Sequence, residues 1–549
     1  MTTLLSKIKI TLYLVIMATT LIAQKANVDL IITNARIYTV NESFDINEAL
    51  AVDKGKFVAV GSTDAVLSSF KSDNIVNGQG KFIYPGFNDG HNHFLGYGLM
   101  ETKYANLVGT ASFDEVIDRL ADHAKNFPGE WILGRGWDQN DWENISFPTK
   151  DKLDKVFPNN PVVLTRIDGH AVIANTQALN RAGIDIVSSV DGGEVIVENG
   201  EPTGVLVDNA IALVRDIIPE FSREEKIQAL LIAQQLCFAV GLTSVTDAGL
   251  DKDEIVLIDE LQQSGELNIR VYAMLNPTKE NFDFFFEKGT INNGKLTVSS
   301  VKLYVDGALG SRGALLLEPY SDAPHTLGLQ IKPQAYYDSV CKLAFKAGFQ
   351  VNTHAIGDSG NRIMLLSYAK CLKGKNDRRW RIEHAQVVHP NDLKLFSDYS
   401  IIPSIQSTHC TSDMSWADER LGHERIKNAY ASHDLLLQNG WVINGTDSPI
   451  EDICPLKTYY AAISRKDLNG WPDNGFQKEN ALNRQDALRS ITIWPAKGSF
   501  DENIKGSIEV GKVADFVILD QDIMQIPELK IPKTVVIATY IDGNVLTGK

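Results

Sequence analysis

The chain has 549 residues, a formal net charge of −16, 44% hydrophobic residues and 41 glycines, enough for a large catalytic domain with a smaller partner. The acidic balance, with no basic block, argues against nucleic acid, whose phosphates demand clustered Lys and Arg. Five scattered cysteines (Cys237, Cys341, Cys371, Cys410, Cys454), odd in number and without a CxxC, do not read as a disulfide framework or a cysteine zinc site.

At the N-terminus, Lys7 and Lys9 precede the apolar run ITLYLVIMATTLIA at 10–23. A basic flank and an apolar stretch of this length predict an export signal over 1–23. The run is short of the roughly 20 apolar residues of a membrane span. Leu21 is a poor residue three before a cleavage point after Ala23, so an uncleaved membrane anchor stays open. The expected product is an exported, periplasmic or extracellular body with no stable membrane span.

From Val28 to about Tyr84, short alternating runs bounded by Asn, Gly and Asp predict strands. The same texture returns in ADFVILDQD and TVVIATYIDGNVLTG near the C-terminus. Neither piece can bury a sheet alone, so 24–84 and 490–549 are expected to build one small, β-sandwich-like domain from both chain ends. Between them, strand-like runs at 242–246, 269–275, 299–305, 349–354, 379–384, 401–405 and 442–444 alternate with helical stretches. With the run before His91 they number eight, the count of a closed (β/α)8 TIM barrel, expected over 85–489. SREEKIQALLIAQQLCFAVG predicts a helix capped by Ser222 and stopped by Gly241. The long gap after the first strand requires an insertion at about 110–220.

Reactive groups of a TIM barrel stand at the C-terminal ends of its strands. His91 and His93 end the first run, in PGFNDGHNH, and residues two apart in an extended segment point the same way. His354 (VNTHAIGD), His384 (RIEHAQ) and Asp447 (INGTDSP) end later runs. Imidazoles with a carboxylate suit zinc and similar divalent ions. Lys302 interrupts the apolar run SSVKLYVDG, where burial should depress its pKa and let it react with carbon dioxide to form a carbamate. A lysine reaching the barrel rim, or paired with Asp306, is the alternative. Arg135, Asp138, Asp168, His170, Arg312 and His409 are weaker candidates to line a substrate pocket. Trp137, Trp142 and Trp416 could wall such a pocket or fill a core. His123, His389, His423 and His433 read as structural, and His325 has no assigned role.

These motifs, with GRGWDQN, RIDGHAVIANTQAL, VKLYVDGALGSRGALL and the terminal GSIEVGKVADFVILD, resemble the amidohydrolase superfamily, and within it the YtcJ-like branch that includes N-substituted formamide deformylase. The resemblance runs from about Val28 to Gly548. It implies a barrel holding one or two divalent ions, with His91 and His93 on the first and His354 and His384 on the second. It also implies a carbamylated Lys302 as bridge, and Asp447 as ligand and catalytic base. The expected reaction is hydrolysis of a non-peptide carbon–nitrogen bond, amide or formamide, in a small molecule, through a metal-bound hydroxide. A single-metal deaminase is the rival, although the glutamate such enzymes place three residues after the fifth-strand histidine is here Gly357. Ester or lactone hydrolysis is a further alternative.

Overall fold

The computed structural model describes residues 25–548 apart from 140–141, 168–170, 187, 189 and 191–192. The expected export signal and the candidates Asp168 and His170 lie outside the described residues. Among the described residues, no helix is long and apolar enough to cross a membrane. The described residues divide into two compact units, one within Met1–Asn92, Cys237–Ile255 and Asn268–Lys549, the other within His93–Leu236 and Val256–Leu267.

The first unit contains the barrel. Its strands are β1 (Phe87–Asn92), β2 (Leu242–Leu250), β3 (Arg270–Leu275), β4 (Leu296–Tyr304), β5 (Gln350–Ala355), β6 (Arg381–His384), β7 (Ile402–Ile405) and β8 (Ile443–Asn444). Each pairs in parallel with the next. Parallel neighbours need crossovers, and helices such as Gln334–Ala347 and Asp358–Leu372 supply them. The eight expected runs all appear in this sheet. The ring closes tightly between β8 and β1, where the Asp447 amide donates to the His91 carbonyl at 2.8 Å. Two glycines permit that approach. A Cβ on Gly90 would sit 2.1 Å from Ile443 Cγ2, and one on Gly445 would sit 2.3 Å from the His91 nitrogen.

Strands from both chain ends build the expected auxiliary sheets in the same unit. One has the order Asn544–Gly548, Val536–Ile541, Phe516–Leu519, Phe82–Pro85, Arg36–Tyr38, Ile46–Asn47. The other runs Lys56–Gly61, Ala49–Asp53, Leu30–Thr33, Ile75–Asn77. Both sheets contribute to one core, with Ile32, Leu50 and Phe57 from the second packed with Ile83, Phe516 and Ile518 from the first. Phe82–Pro85 leads almost directly into β1, so this sandwich anchors the strand that carries His91.

The second unit has its own six-stranded sheet, ordered Tyr104–Asn106, Ile132–Trp137, Val162–Arg166, Ala171–Ala174, Glu201–Asp208, Gly193–Glu198. Trp137 and Trp142 belong to its core, their indole N–H groups donating to the Leu164 and Thr110 carbonyls, each at 2.9 Å. Ser222 begins the expected helix (Arg223–Ala239) with a capping box: its Oγ accepts from the Glu225 amide while Glu225 Oε2 accepts from its own N–H.

Candidate metal centre

The centre is built on β1. Asp89, fully buried, accepts from the His91 amide (3.2 Å), Asn92 Nδ2 (3.0 Å), the Thr446 amide (2.9 Å) and Thr446 Oγ1 (2.6 Å). It thereby ties the histidine-bearing strand end to the turn that presents Asp447. His91 Nδ1 lies 2.6 Å from Glu383 Oε2, while its Nε2 lies 3.2 Å from Lys302 Nζ and 3.4 Å from Asp447 Oδ1. Burial and Lys302 work against a proton on His91, but Glu383 and Asp447 outweigh them and raise its pKa.

Lys302 is completely buried, and desolvation lowers its pKa against the pull of Glu383, Asp447 and Asp247. Pairing with Asp306 does not occur. The Asp306 carboxylate is occupied by the amides of Leu315 (2.9 Å), Ile356 (3.0 Å) and Gly357 (2.8 Å), and burial pushes its pKa up to about 7. Tyr304, two residues on along β4, presents its ring to Lys302 Nζ at 4.8 Å and to the His354 ring at 5.6 Å. The sequence reading passed over it.

Three further imidazoles adjoin one another. His384 lies 4.5 Å from His354, 5.1 Å from His91 and 5.7 Å from His409, ring centre to ring centre, and stacks on the last. His409 Nε2 stands 3.6 Å from Asp447 Oδ2. Burial, then Lys302, depresses the His354 pKa to about 3, and burial with His354 takes His384 well below the ordinary imidazole value. Both rings are therefore neutral at neutral pH, the form that binds metals. Among the described residues, His354 Nε2, His384 Nδ1 and His409 Nε2 are buried without a hydrogen-bond partner. A protein seldom leaves such atoms unsatisfied unless something else meets them. The donor set therefore fits divalent ions.

Among the described residues, two groups place their ligand atoms within 4.8 Å of one another: His91, His93 and Asp447, and His384, His409 and Asp447. Asp447 belongs to both. Lys302 and His354 stand beside these groups, within the distances given above. His384 (φ 73°) and Asp447 (φ 58°) both occupy the left-handed region, a strained backbone for residues with a side chain, of the kind that clusters at functional sites.

Of the remaining candidates, Arg312 and Asp138 are engaged elsewhere. Arg312 forms a forked pair with Asp322, at 3.2 and 2.6 Å, and Arg420 pairs with the same carboxylate. Asp138 binds Arg166 at 2.5 Å, and Arg135 is exposed. Asp358, the first acid after His354, is taken up by the Leu317 and Ser359 amides at 2.8 and 3.0 Å. Glu383, which the sequence reading overlooked, is the fully buried acid touching His91.

A TIM barrel with histidine and carboxylate clusters at the strand ends defines a metal-dependent hydrolase. Residues 74–547 match the family model described as Amidohydrolase family (Amidohydro_3), and the chain belongs to that family, whose chemistry is hydrolysis of carbon–nitrogen bonds. It is 33% identical over 538 residues to Protein LONG AFTER FAR-RED 3 of Arabidopsis thaliana, covering 94% of this chain and 91% of that one. YtcJ of Bacillus subtilis, which carries an amidohydrolase name, is 30% identical (93% and 98% covered). N-substituted formamide deformylase of Arthrobacter pascens is 26% identical (94% and 97% covered). A crystal structure of an uncharacterized metal-dependent hydrolase from Pyrococcus horikoshii superposes with a TM-score of 0.78 at 29% identity, covering 91% of this chain and 99% of that one.

Proposed function

We propose that this protein hydrolyses the carbon–nitrogen bond of a small amide or N-substituted formamide. The observation that carries the reading is Asp447, one carboxylate shared by two histidine clusters at the mouth of the barrel. His91, His93 and Asp447 would hold one divalent ion, and their imidazole and carboxylate donors favour zinc. His384 would hold a second with His354 or His409, and Lys302, as a carbamate, would link the two. Such ions supply acidity to a water and polarise the substrate carbonyl. Asp447 takes the proton of the attacking water and delivers it to the departing nitrogen. Burial of Lys302 favours the free amine that carbon dioxide requires; the new N–C bond forms as the amine releases one proton. The similarity to N-substituted formamide deformylase supports the formamide choice. We also propose export, from the basic and apolar pattern of residues 7–23; N-terminal sequencing of the secreted product tests it.

The test is elemental analysis of the purified protein with a panel of formamides, amides, N-acyl amino acids and lactones. One or two divalent ions per chain, with turnover confined to the carbon–nitrogen substrates, supports the reading. Metal-loaded protein inert on the whole panel overturns it. One ion with no carbamate signal from ¹³C-labelled bicarbonate returns the deaminase.

A further inference from the structure

We propose that Glu383, backed by Arg381 inside the barrel, is the positioning residue that fixes His91 as an Nε2 ligand. The inference rests on the metal centre proposed above and adds a residue to it. Glu383 Oε2 lies 2.6 Å from His91 Nδ1, and both side chains are completely buried. A carboxylate has no proton to donate, so the bond requires one on Nδ1, and a neutral ring then carries its lone pair on Nε2. The opposite tautomer would set two lone pairs against each other at that separation. Nε2 is also the nitrogen turned toward Lys302 and Asp447, at 3.2 and 3.4 Å.

The backbone of β6 makes this possible. Adjacent residues of a regular strand point to opposite faces. His384 departs from that rule through its φ of 73°, so Glu383 and His384 both reach the centre. Arg381, two residues before Glu383, is completely buried, with Nη1 3.9 Å from Glu383 Oε1. The same nitrogen donates to the Gly90 carbonyl at 3.4 Å, the residue just before His91, and the guanidinium lies 5.1 Å from the Tyr272 ring. Arg381 thus holds the acid and the histidine strand together. A buried carboxylate without a nearby cation is costly. Carbamylation removes the positive charge of Lys302, and Arg381 then carries that balance.

Zinc titration of the metal-free protein against a competing chelator tests the proposal, with wild type and Glu383→Gln compared. Loss of the carboxylate should weaken the tighter zinc site by about 10- to 100-fold. It should also move the visible bands of the cobalt-loaded protein, whereas Glu502→Gln, which alters the pair with Arg379, should leave them in place. A folded Glu383→Gln protein with wild-type zinc affinity and unchanged cobalt bands overturns the proposal. If that variant does not fold, the crystal structure of the zinc-loaded wild type decides: zinc on Nε2 with Nδ1 still on Glu383 supports it, and zinc on Nδ1 or on Glu383 itself refutes it. A wild type that takes up no zinc defeats the metal-centre reading, whereas equal uptake by both proteins defeats only this inference.

Discussion

Gly445→Ala probes whether barrel closure holds the metal centre in place. The added Cβ would lie 2.3 Å from the His91 nitrogen, 2.7 Å from its oxygen and 2.8 Å from Asp89 Oδ1. Nonbonded atoms need about 3.5 Å, so β1 and the turn after β8 must part by roughly 1 Å. Overpacking of this kind costs about 1–3 kcal/mol. Losing the bond from the Asp447 amide to the His91 carbonyl adds about 1 kcal/mol, for a total of about 2–4 kcal/mol. The same movement separates Asp447 from His91, and misplacement of about 1 Å at a catalytic group costs on the order of 100-fold in rate. The assays are thermal melting of the metal-free protein, zinc affinity by chelator competition, and turnover on the best substrate of the panel. Gly61→Ala is the control, since a Cβ there meets no atom within 4 Å. Wild-type melting and zinc affinity in Gly445→Ala would refute the claim that this contact sets the geometry of the centre.

Asp447→Asn should keep part of its metal and lose about 10²- to 10⁴-fold in kcat; wild-type turnover in that variant removes Asp447 from proton transfer. Stripping the metal with a chelator should abolish activity and lower the melting temperature, and returning zinc at about 100 times its Kd should restore about 2.7 kcal/mol of stability. An unchanged melting curve would contradict a bound ion. The pKa of His354 is depressed in the folded state to about 3, so below the ordinary imidazole range the unfolded chain takes up the proton first. Its contribution is therefore full above about pH 6.5 and declines as pH falls toward 3. Metal-free wild type should lose stability relative to His354→Gln on acidification through that window, as urea melts at successive pH values would show. A constant difference would contradict the depressed value.

The barrel was legible because most of its strands are short, largely apolar runs, several of them followed by or ending in His or Asp, and the observed strands overlap every expected run. The pairing of the chain ends followed from the inability of either piece to bury a sheet alone. Other features depended on information that spacing does not carry. Glu383 was missed because alternation turns it away once its neighbour His384 is assigned inward, and a single left-handed residue breaks that parity. His409 was read as a substrate contact, yet it lies among the ligand atoms because the short helix Ser407–Asp413 begins directly after β7 and turns it onto His384. The engagement of Arg312 with Asp322 depends on how the loop after β4 folds back. The sheet of the second unit was concealed by runs such as ILGRGW, where Gly and Arg interrupt the apolar pattern.

The strand Phe82–Pro85 has Phe516–Leu519 as its antiparallel neighbour. During synthesis, that partner leaves the ribosome only when nearly the whole polypeptide has been made. Until then one edge of Phe82–Pro85 waits unpaired, and the segment carrying His91 leans on Arg36–Tyr38 alone within that sheet. A chain that ends before residue 516 therefore lacks one of the two neighbours of the strand leading into His91.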